Sequence, residues 1–207
     1  MGTGAVFFDK EPAEVNVLGD NDKKLMKFYK DIQKLDRLTC DVRRDKSKWE
    51  RIVKKKNKNP CDYAYLVKAS YGCVGERFND LGEGGSNSIQ NYDKQINFLK
   101  NARLIHGDYK DMIRKYDSKD TFFYLDPPYH ELSCGYPDGS CNVTPQEVFN
   151  SIKNIKGKFI LSYNNHSDVR KIFCEKYKCK VVKTRYTGNK IKDSSKQMKN
   201  ELLIKNF

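Results

Sequence analysis

The tetrapeptide Asp126-Pro127-Pro128-Tyr129 combines groups that could bind and activate an amino group on an aromatic ring. The carboxylate of Asp126 and the carbonyl of Pro127 can both accept hydrogen bonds from one planar amino group, and the Tyr129 ring can stack on the heterocycle that carries it. Because proline fixes φ and lacks an N–H, the carbonyls are held rigidly. A base extruded from a nucleic acid would fit such a site, although a proline-stiffened turn after a buried strand would use the same residues.

Strand and helix patterns alternate on both sides of this tetrapeptide, which follows the apolar run Phe122–Leu125. Such alternation predicts an α/β fold with a mostly parallel, doubly wound sheet. Val181–Tyr186 and Glu201–Phe207 would add an antiparallel pair at the sheet edge. The other predicted elements are Val15–Leu18, Lys24–Ile32, Arg103–Ile105, Lys110–Tyr116, Pro145–Asn154 with a capping box of Thr144 and Glu147, Lys158–Ser162 and Ser167–Lys176.

Residues 36–101 interrupt the alternation. They begin with a dense basic block and continue with Tyr63–Tyr71, which could be a helix or a strand, and with the turn-rich segment Gly72–Gly85. We therefore expect a main domain formed by residues 1–35 and 102–207, with residues 36–101 inserted into it. The block includes Arg43, Arg44, Lys54, Lys55 and Lys56.

The charge of the chain indicates a polyanionic partner. Its 207 residues include 40 Lys and Arg against 27 Asp and Glu, which gives a formal net charge of +13 and a pI of about 9.3. Such an excess is typical of proteins that contact phosphate backbones, although an A/T-rich coding sequence, such as that of a virus or phage, could also produce it. The length suits one domain and leaves room for a small insertion.

The cysteines and the hydropathy exclude other classes of protein. Seven cysteines, an odd number without a secretory leader, predict reduced thiols inside a cell. The close pairs Cys134/Cys141 and Cys174/Cys179 lack C-x-x-C spacing and have no accompanying histidine cluster, so we expect no zinc site. No apolar stretch approaches ~18 residues, and we expect no membrane span.

Two aspartates and a glycine pair could form a nucleotide site. Ligands of doubly wound sheets bind beyond the carboxyl ends of the strands, where Asp20 and Asp108 are predicted to lie. Asp20 could accept hydrogen bonds from both hydroxyls of a ribose, and Asp108 could bind another part of the same ligand. Gly2 and Gly4 could let the backbone approach closely. The alternative is structural, with the glycines in a turn and the aspartates as helix caps.

Taken together, these motifs resemble those of the Dam-like DNA adenine-N6 methyltransferases, which use S-adenosylmethionine. The resemblance covers nearly the whole chain and is weakest in the middle block. The D-P-P-Y tetrapeptide also occurs in RNA methyltransferases, but the A-V-F-F start and the E-L-L-I ending favour the DNA family. The matching segments are Gly2–Phe8, Leu18–Asp22, Gly107–Tyr109, Asp126–Tyr129, Phe159–Asn164 and Glu201–Ile204.

This resemblance implies a Rossmann-like methyltransferase sheet and a role for each candidate residue. An adenine amino group is a poor nucleophile because its lone pair is delocalised, and two acceptors would favour a more pyramidal nitrogen held in line with the methyl group. The sulfonium charge is lost on transfer, so we expect no metal in the reaction. The implied cofactor-binding residues are Gly2 and Gly4 (methionine part), Asp20 (ribose) and Asp108 (adenine region), and the implied catalytic residues are Asp126, Pro127, Pro128 and Tyr129.

The family's DNA-reading region corresponds to residues 36–101. Within it, Gly75–Asn79 resembles a DNA-contacting hairpin, so Arg77 and Asn79 could meet base edges in the major groove of double-stranded DNA, where arginine suits guanine and asparagine suits adenine. A plain surface turn is the alternative. The residues expected to contact phosphate, and so to set affinity rather than sequence preference, are Arg43, Arg44, Lys54, Lys55 and Lys56.

The chain departs from the family pattern at its start. The family has a segment before its glycine loop that helps to hold the cofactor, whereas this sequence begins at Met1-Gly2, and Gly19 replaces an asparagine. We therefore expect a shortened product, a fragment, or one part of a two-chain enzyme whose second chain supplies that segment. The alternatives in function are an RNA adenine methyltransferase and a catalytically silent nucleic-acid-binding subunit.

Overall fold

A computed structural model describes residues 4–70, 75–79, 89–130, 143–185 and 198–207. The chain divides into two compact units, residues 2–108 and residues 109–207, which we call the first and the second unit. Among the described residues, no helix has both the length and the apolar character needed to cross a membrane.

The first unit contains, within its described part, the elements α1 (Ala5–Asp9), β1 (Asn16–Asp20), α2 (Lys23–Ile32), β2 (Thr39–Asp41), α3 (Lys46–Lys54), α4 (Pro60–Ala69), β3 (Ile89–Asn91), α5 (Asp93–Leu99) and β4 (Ala102–His106). β1 and β4 pair in parallel, with Asp20 opposite His106 at their carboxyl ends. β2 and β3 form a separate antiparallel pair. A buried cluster joins α3 to α4 and consists of Trp49, Ile52, Tyr65, Leu66 and Ala69.

The second unit contains, within its described part, α6 (Tyr109–Tyr116), β5 (Phe122–Leu125), α7 (Pro145–Ile152), β6 (Lys158–Asn164), α8 (Ser167–Phe173), β7 (Lys178–Arg185) and β8 (Met198–Lys205). Its sheet has the strand order β5-β6-β8-β7. β5 and β6 run parallel, whereas β8 is antiparallel to both of its neighbours. Apolar side chains of β6, α8 and β8 form the core, among them Phe159, Leu161, Tyr163, Val169, Phe173, Leu202 and Ile204.

The α/β class predicted from the sequence is confirmed, but the share of parallel pairing differs. Of the strand pairs in the described residues, β1–β4 and β5–β6 are parallel, and β2–β3, β6–β8 and β7–β8 are antiparallel. The antiparallel pair predicted near the C-terminus is present as β7 and β8, and the predicted capping box of Thr144 and Glu147 begins α7. The ambiguous segment Tyr63–Tyr71 is helical up to Ala69. The insertion boundaries at residues 36–101 stay a prediction.

Two cysteine pairs form disulfides, so the expectation of reduced thiols is wrong for these residues. Cys40 of β2 is bonded to Cys61 of α4, with Cα atoms 5.3 Å apart, and Cys174 is bonded to Cys179. The sequence could not reveal the first pair, because its members are 21 positions apart and meet only through the fold. The remaining cysteines, Cys73, Cys134 and Cys141, lie outside the described residues.

Gly157 lets β6 begin close to the turn that precedes β5, and this contact predicts a stability effect. An added Cβ atom at Gly157 would lie 2.7 Å from the carbonyl oxygen of Ser118 and closer still to that of Thr121. Because the backbone would have to shift, we expect Gly157→Ala to lower the free energy of unfolding by about 2 kcal/mol in urea denaturation. Gly107→Ala is the matched control, since nothing lies within 4 Å of its added Cβ. Equal stability of the two variants would contradict the close approach at Gly157.

Candidate active site

The D-P-P-Y tetrapeptide begins at the carboxyl end of β5, as the sequence predicts. β5 pairs with β6 up to Leu125, which lies opposite Leu161, and Asp126 is the next residue. The strand ends here because Pro127 and Pro128 lack the N–H groups that would continue the ladder. The carboxyl ends of parallel strands are where such sheets present their ligand-binding groups.

One side chain of β6 fixes the backbone directly after the tetrapeptide. Asn164 Oδ1 accepts a hydrogen bond from the His130 N–H at 3.0 Å, and Asn164 Nδ2 donates one to the His130 carbonyl at 3.0 Å. We call this two-way pairing the Asn164 clamp. Since Asp126 directly follows β5 and His130 is held by the clamp, the tetrapeptide is anchored at both ends.

Tyr129 is half-buried beside β6. Its ring stacks on that of Tyr163, with centroids 6.1 Å apart and planes inclined by 21°. Its hydroxyl lies 3.4 Å from Ser162 Oγ. Burial raises the pKa of Tyr129 far above its ordinary value and raises the pKa of Tyr163 to about 12. Both phenols therefore remain neutral at physiological pH, and Tyr129 provides an uncharged aromatic surface.

Asp126 reaches solvent, yet its carboxyl group ionises less readily than that of an ordinary aspartate. Surrounding protein atoms displace water and raise the pKa of Asp126, and the negative charge of Glu201 raises this pKa further. Glu201 lies in β8 directly opposite Asn164. A carboxylate with reduced hydration attracts a hydrogen-bond donor more strongly, which suits Asp126 to an amino group.

Asp20 and Asp108 lie at the carboxyl ends of the paired strands β1 and β4 in the first unit. The Gly107 N–H donates to the Asp20 carbonyl at 3.1 Å and so extends this pairing by one hydrogen bond. The Asp20 carboxylate accepts the N–H of Asp22 at 2.8 Å, while Asp22 itself caps α2. Asp22 rather than Asp20 caps α2, whereas Asp108 directly precedes α6. The structure brings Asp20 and Asp108 to one end of this strand pair.

Gly4 has a backbone conformation that favours glycine. Its φ is +66°, and an added Cβ would lie 2.8 Å from Cε2 of Phe8 in α1. The fold of this segment therefore requires glycine at residue 4, whether or not a ligand binds there. The other predicted glycine, Gly2, lies outside the described residues.

The predicted base-reading residues lie in a segment that returns against α4. Ser70 and Phe78 form an antiparallel bridge, the Asn79 N–H donates to the Ala69 carbonyl at 3.0 Å, and Phe78 packs against the Trp49 ring. Arg77 is exposed. This bridge is consistent with the hairpin expected from the sequence, although residues 71–74 are not described.

The predicted phosphate-binding cations differ in their surroundings. Arg43 donates two hydrogen bonds to Asp41, at 2.9 and 2.7 Å, and thereby holds the pKa of that carboxyl well below its usual range. Lys55 lies 2.5 Å from the carboxylate of Asp62. Arg44 donates to the Asn79 carbonyl at 3.5 Å. Lys54 and Lys56 are exposed at the end of α3 and just beyond it.

Comparison with known families agrees with this chemistry. Residues 85–188 match the family described as D12 class N6 adenine-specific DNA methyltransferase. The chain belongs to this family. The methyltransferase therefore acts on the N6 amino group of adenine in DNA, which confirms the resemblance found in the sequence. Enzymes of this class generally use S-adenosylmethionine. No curated protein matched the chain.

Sequence reasoning missed two residues of this site, Ser162 and Asn164. The signal was present, because both lie in the F-x-L-S-x-N segment Phe159–Asn164 that resembles a family motif. What the motif did not show is that Asn164 bonds to a backbone 34 positions away.

Removal of the Asn164 clamp should loosen the backbone of the methyltransferase at His130. Asn164→Ala removes both partners of the His130 backbone, so we expect a loss of about 1–3 kcal/mol in stability and faster hydrogen exchange at the His130 amide. Asn165→Ala is the matched control, because Asn165 bonds instead to the exposed Arg170 side chain. Unchanged protection of the His130 amide in Asn164→Ala would show that the clamp does not hold this backbone.

Proposed function

We propose that this methyltransferase transfers the methyl group of S-adenosylmethionine to an adenine that is flipped out of double-stranded DNA. The observation that carries the proposal is the anchoring of the D-P-P-Y segment between β5, which ends directly before Asp126, and the Asn164 clamp at His130. In this proposal the Asp126 carboxylate and the Pro127 carbonyl each accept a hydrogen bond from the target amino group. Pro128 keeps the turn rigid, and the Tyr129 ring stacks on the base.

The two acceptors change the reactivity of the amino nitrogen. In free adenine its lone pair is delocalised into the ring, and hydrogen bonds from both N–H groups to fixed oxygens favour a more pyramidal nitrogen whose lone pair is available. Bound S-adenosylmethionine supplies an electrophilic methyl group on a sulfonium. Rigid positioning by Asp126 and Pro127 makes the displacement effectively intramolecular, and Asp126 accepts the amino proton afterwards.

The first unit contains residues that fit the proposed cofactor. Asp20 accepts hydrogen bonds from the ribose hydroxyls, Asp108 binds near the adenine, and Gly4, together with Gly2, borders the methionine part. The chemistry of the donor set supports this fit, because two carboxylates follow the carboxyl ends of adjacent parallel strands.

We also propose a Rossmann-like catalytic domain from residues 1–35 and 102–207, with residues 36–101 as the target-recognition insertion. The parallel pairs β1–β4 and β5–β6, each followed by an acidic residue, support the first part. The exposed Arg77 beside the Ser70–Phe78 bridge supports the second.

A methyl-transfer assay tests the catalytic proposal. Purified protein, S-adenosylmethionine and unmethylated duplex DNA should yield N6-methyladenine, detected by mass spectrometry of the digested nucleosides. Asp126→Ala should lower the rate by about 10²-fold or more, because one of two acceptors is lost. Asp120→Asn, a change at an exposed turn residue before β5, is the matched control and should retain activity.

The same assay has outcomes that would overturn parts of the proposal. Methylation of RNA but not of DNA would contradict the substrate, and full activity of Asp126→Ala would contradict its role. Activity of the chain alone would remove the need for a second chain.

The raised pKa of Asp126 predicts a pH dependence of the methyl-transfer rate. As the pH decreases, the rate should begin to fall at a pH above the ordinary pKa of aspartate, because protonation removes the acceptor.

Two groups of basic residues should affect DNA binding differently. Arg77→Ala should reduce discrimination between DNA sequences by about 1–3 kcal/mol, because it removes a base contact. The double change Lys54→Ala and Lys56→Ala should weaken binding to all duplexes alike. It should also reduce the slope of the logarithm of the binding constant against the logarithm of salt concentration by about 2. Fluorescence anisotropy at several salt concentrations measures both, with Lys27→Ala in α2, a lysine paired with Asp31, as the control. Uniform weakening in Arg77→Ala would contradict base reading.

A further inference from the structure

Three side chains of the second unit meet beside the Asn164 clamp. His130 Nε2 lies 3.7 Å from Asp168 Oδ2, and His166 Nδ1 lies 3.8 Å from the same oxygen. One potential ligand atom from each residue lies within 4.8 Å of the others. The two imidazole rings are 4.9 Å apart, centroid to centroid, and nearly perpendicular, so they are not stacked against each other.

The backbone around these side chains is well fixed. The Asn164 clamp holds His130, and the His166 N–H donates to the Asn164 carbonyl at 2.9 Å. His166 also begins α8, where its carbonyl accepts the N–H of Arg170 at 3.0 Å. Asp168 is in the first turn of this helix. The side chains of His130, His166 and Asp168 are 23%, 31% and 50% exposed, so the cluster is shielded but accessible from solvent.

We propose that His130, His166 and Asp168 form a binding site for one divalent transition-metal ion, with zinc as the best match. Two imidazole nitrogens and one carboxylate oxygen are ligands that Zn²⁺ binds at about 2.0–2.2 Å, and three protein ligands leave a fourth position for water. Ligands at that range around a tetrahedral ion are about 3.4 Å apart. The observed separations of 3.7 and 3.8 Å from Asp168 Oδ2 exceed this value only slightly. The ligand atoms of the two histidines lie within 4.8 Å of each other, so an ion would draw the two rings closer together.

Metal binding exchanges one weak interaction for a stronger one. His166 Nδ1 accepts the backbone N–H of Asp168 at 3.2 Å, and the ion replaces this long hydrogen bond. The ion then joins the residue after Tyr129 to the start of α8. Its role is to position the D-P-P-Y segment, and the methyl transfer itself does not use it.

This site differs from the one that the sequence excluded. The expectation of no zinc site rested on the spacing of the cysteines and on the absence of a histidine cluster beside them, whereas these ligands are two histidines and an aspartate without a cysteine. No sequence pattern indicates the cluster, because His130 lies far from His166 and Asp168 along the chain and the fold alone brings them together.

Metal titration of the full chain, purified without a polyhistidine tag and treated with chelator, tests this site. Calorimetry with Zn²⁺ and visible absorption with Co²⁺ should both show one ion per chain, and Zn²⁺ should raise the melting temperature. His130→Ala and Asp168→Asn should each lower the affinity at least about tenfold. The third histidine of the chain, His106, lies in the first unit, so His106→Ala is the matched control and should bind normally.

Two results would overturn the proposal. One is the absence of stoichiometric Zn²⁺ and Co²⁺ binding at concentrations that detect micromolar affinity, which would leave a histidine–aspartate ion pair as the role of the cluster. The other is binding that is equal in the native chain, His130→Ala and Asp168→Asn, which would place the ion elsewhere. Circular dichroism of Asp168→Asn, the less disruptive change, establishes that lost binding does not reflect lost folding.

Discussion

The pairing between the Asn164 side chain and the His130 backbone is the constraint on which the second unit's site depends. Asn164 is the last residue of β6 and lies opposite Glu201 of β8. Its side chain fixes the end of the D-P-P-Y segment, while its own carbonyl accepts the N–H of His166 at the start of α8. An aspartate or a leucine at residue 164 could not both donate and accept in this way. One asparagine thus joins the D-P-P-Y segment to the sheet and to the following helix.

The electrostatics of the two units suit different parts of a nucleic acid. In the second unit, burial and Glu201 raise the pKa of Asp126, and burial keeps Tyr129 neutral. The carboxylates of Asp126 and Glu201 would repel a phosphate, whereas a neutral base could donate a hydrogen bond from its amino group to Asp126. The basic block of residues 36–101 lies in the first unit, and its positive charges are of the kind that bind the phosphate backbone of DNA. In the proposed function, this distribution of charge would separate affinity for DNA from the chemistry on the base.

The sequence predicted most strands and helices and the place of the D-P-P-Y segment at the end of a strand, because these depend on local patterns. The apolar run before Asp126, the capping box at Thr144 and the strand before Asp20 are each readable from a few neighbouring residues. Strand order was not readable, since periodicity does not show that β8 lies between β6 and β7. The Cys40–Cys61 disulfide and the meeting of His130 with Asp168 were hidden for the same reason, because they join residues that only the fold brings together.

Net charge alone overstates the cations that are available to DNA. Arg43 is engaged in a two-bond pair with Asp41, and Lys55 is close to Asp62, whose carboxylate also accepts the Asn59 N–H in the capping box of α4. Releasing Lys55 would leave the partly buried Asp62 without its counter-charge. These two cations therefore have carboxylate partners within the basic block, whereas Lys54 and Lys56 have their side chains exposed. The positions of the acidic residues within the block thus decide which basic residues are engaged in ion pairs and which would, in the proposed function, contact phosphate.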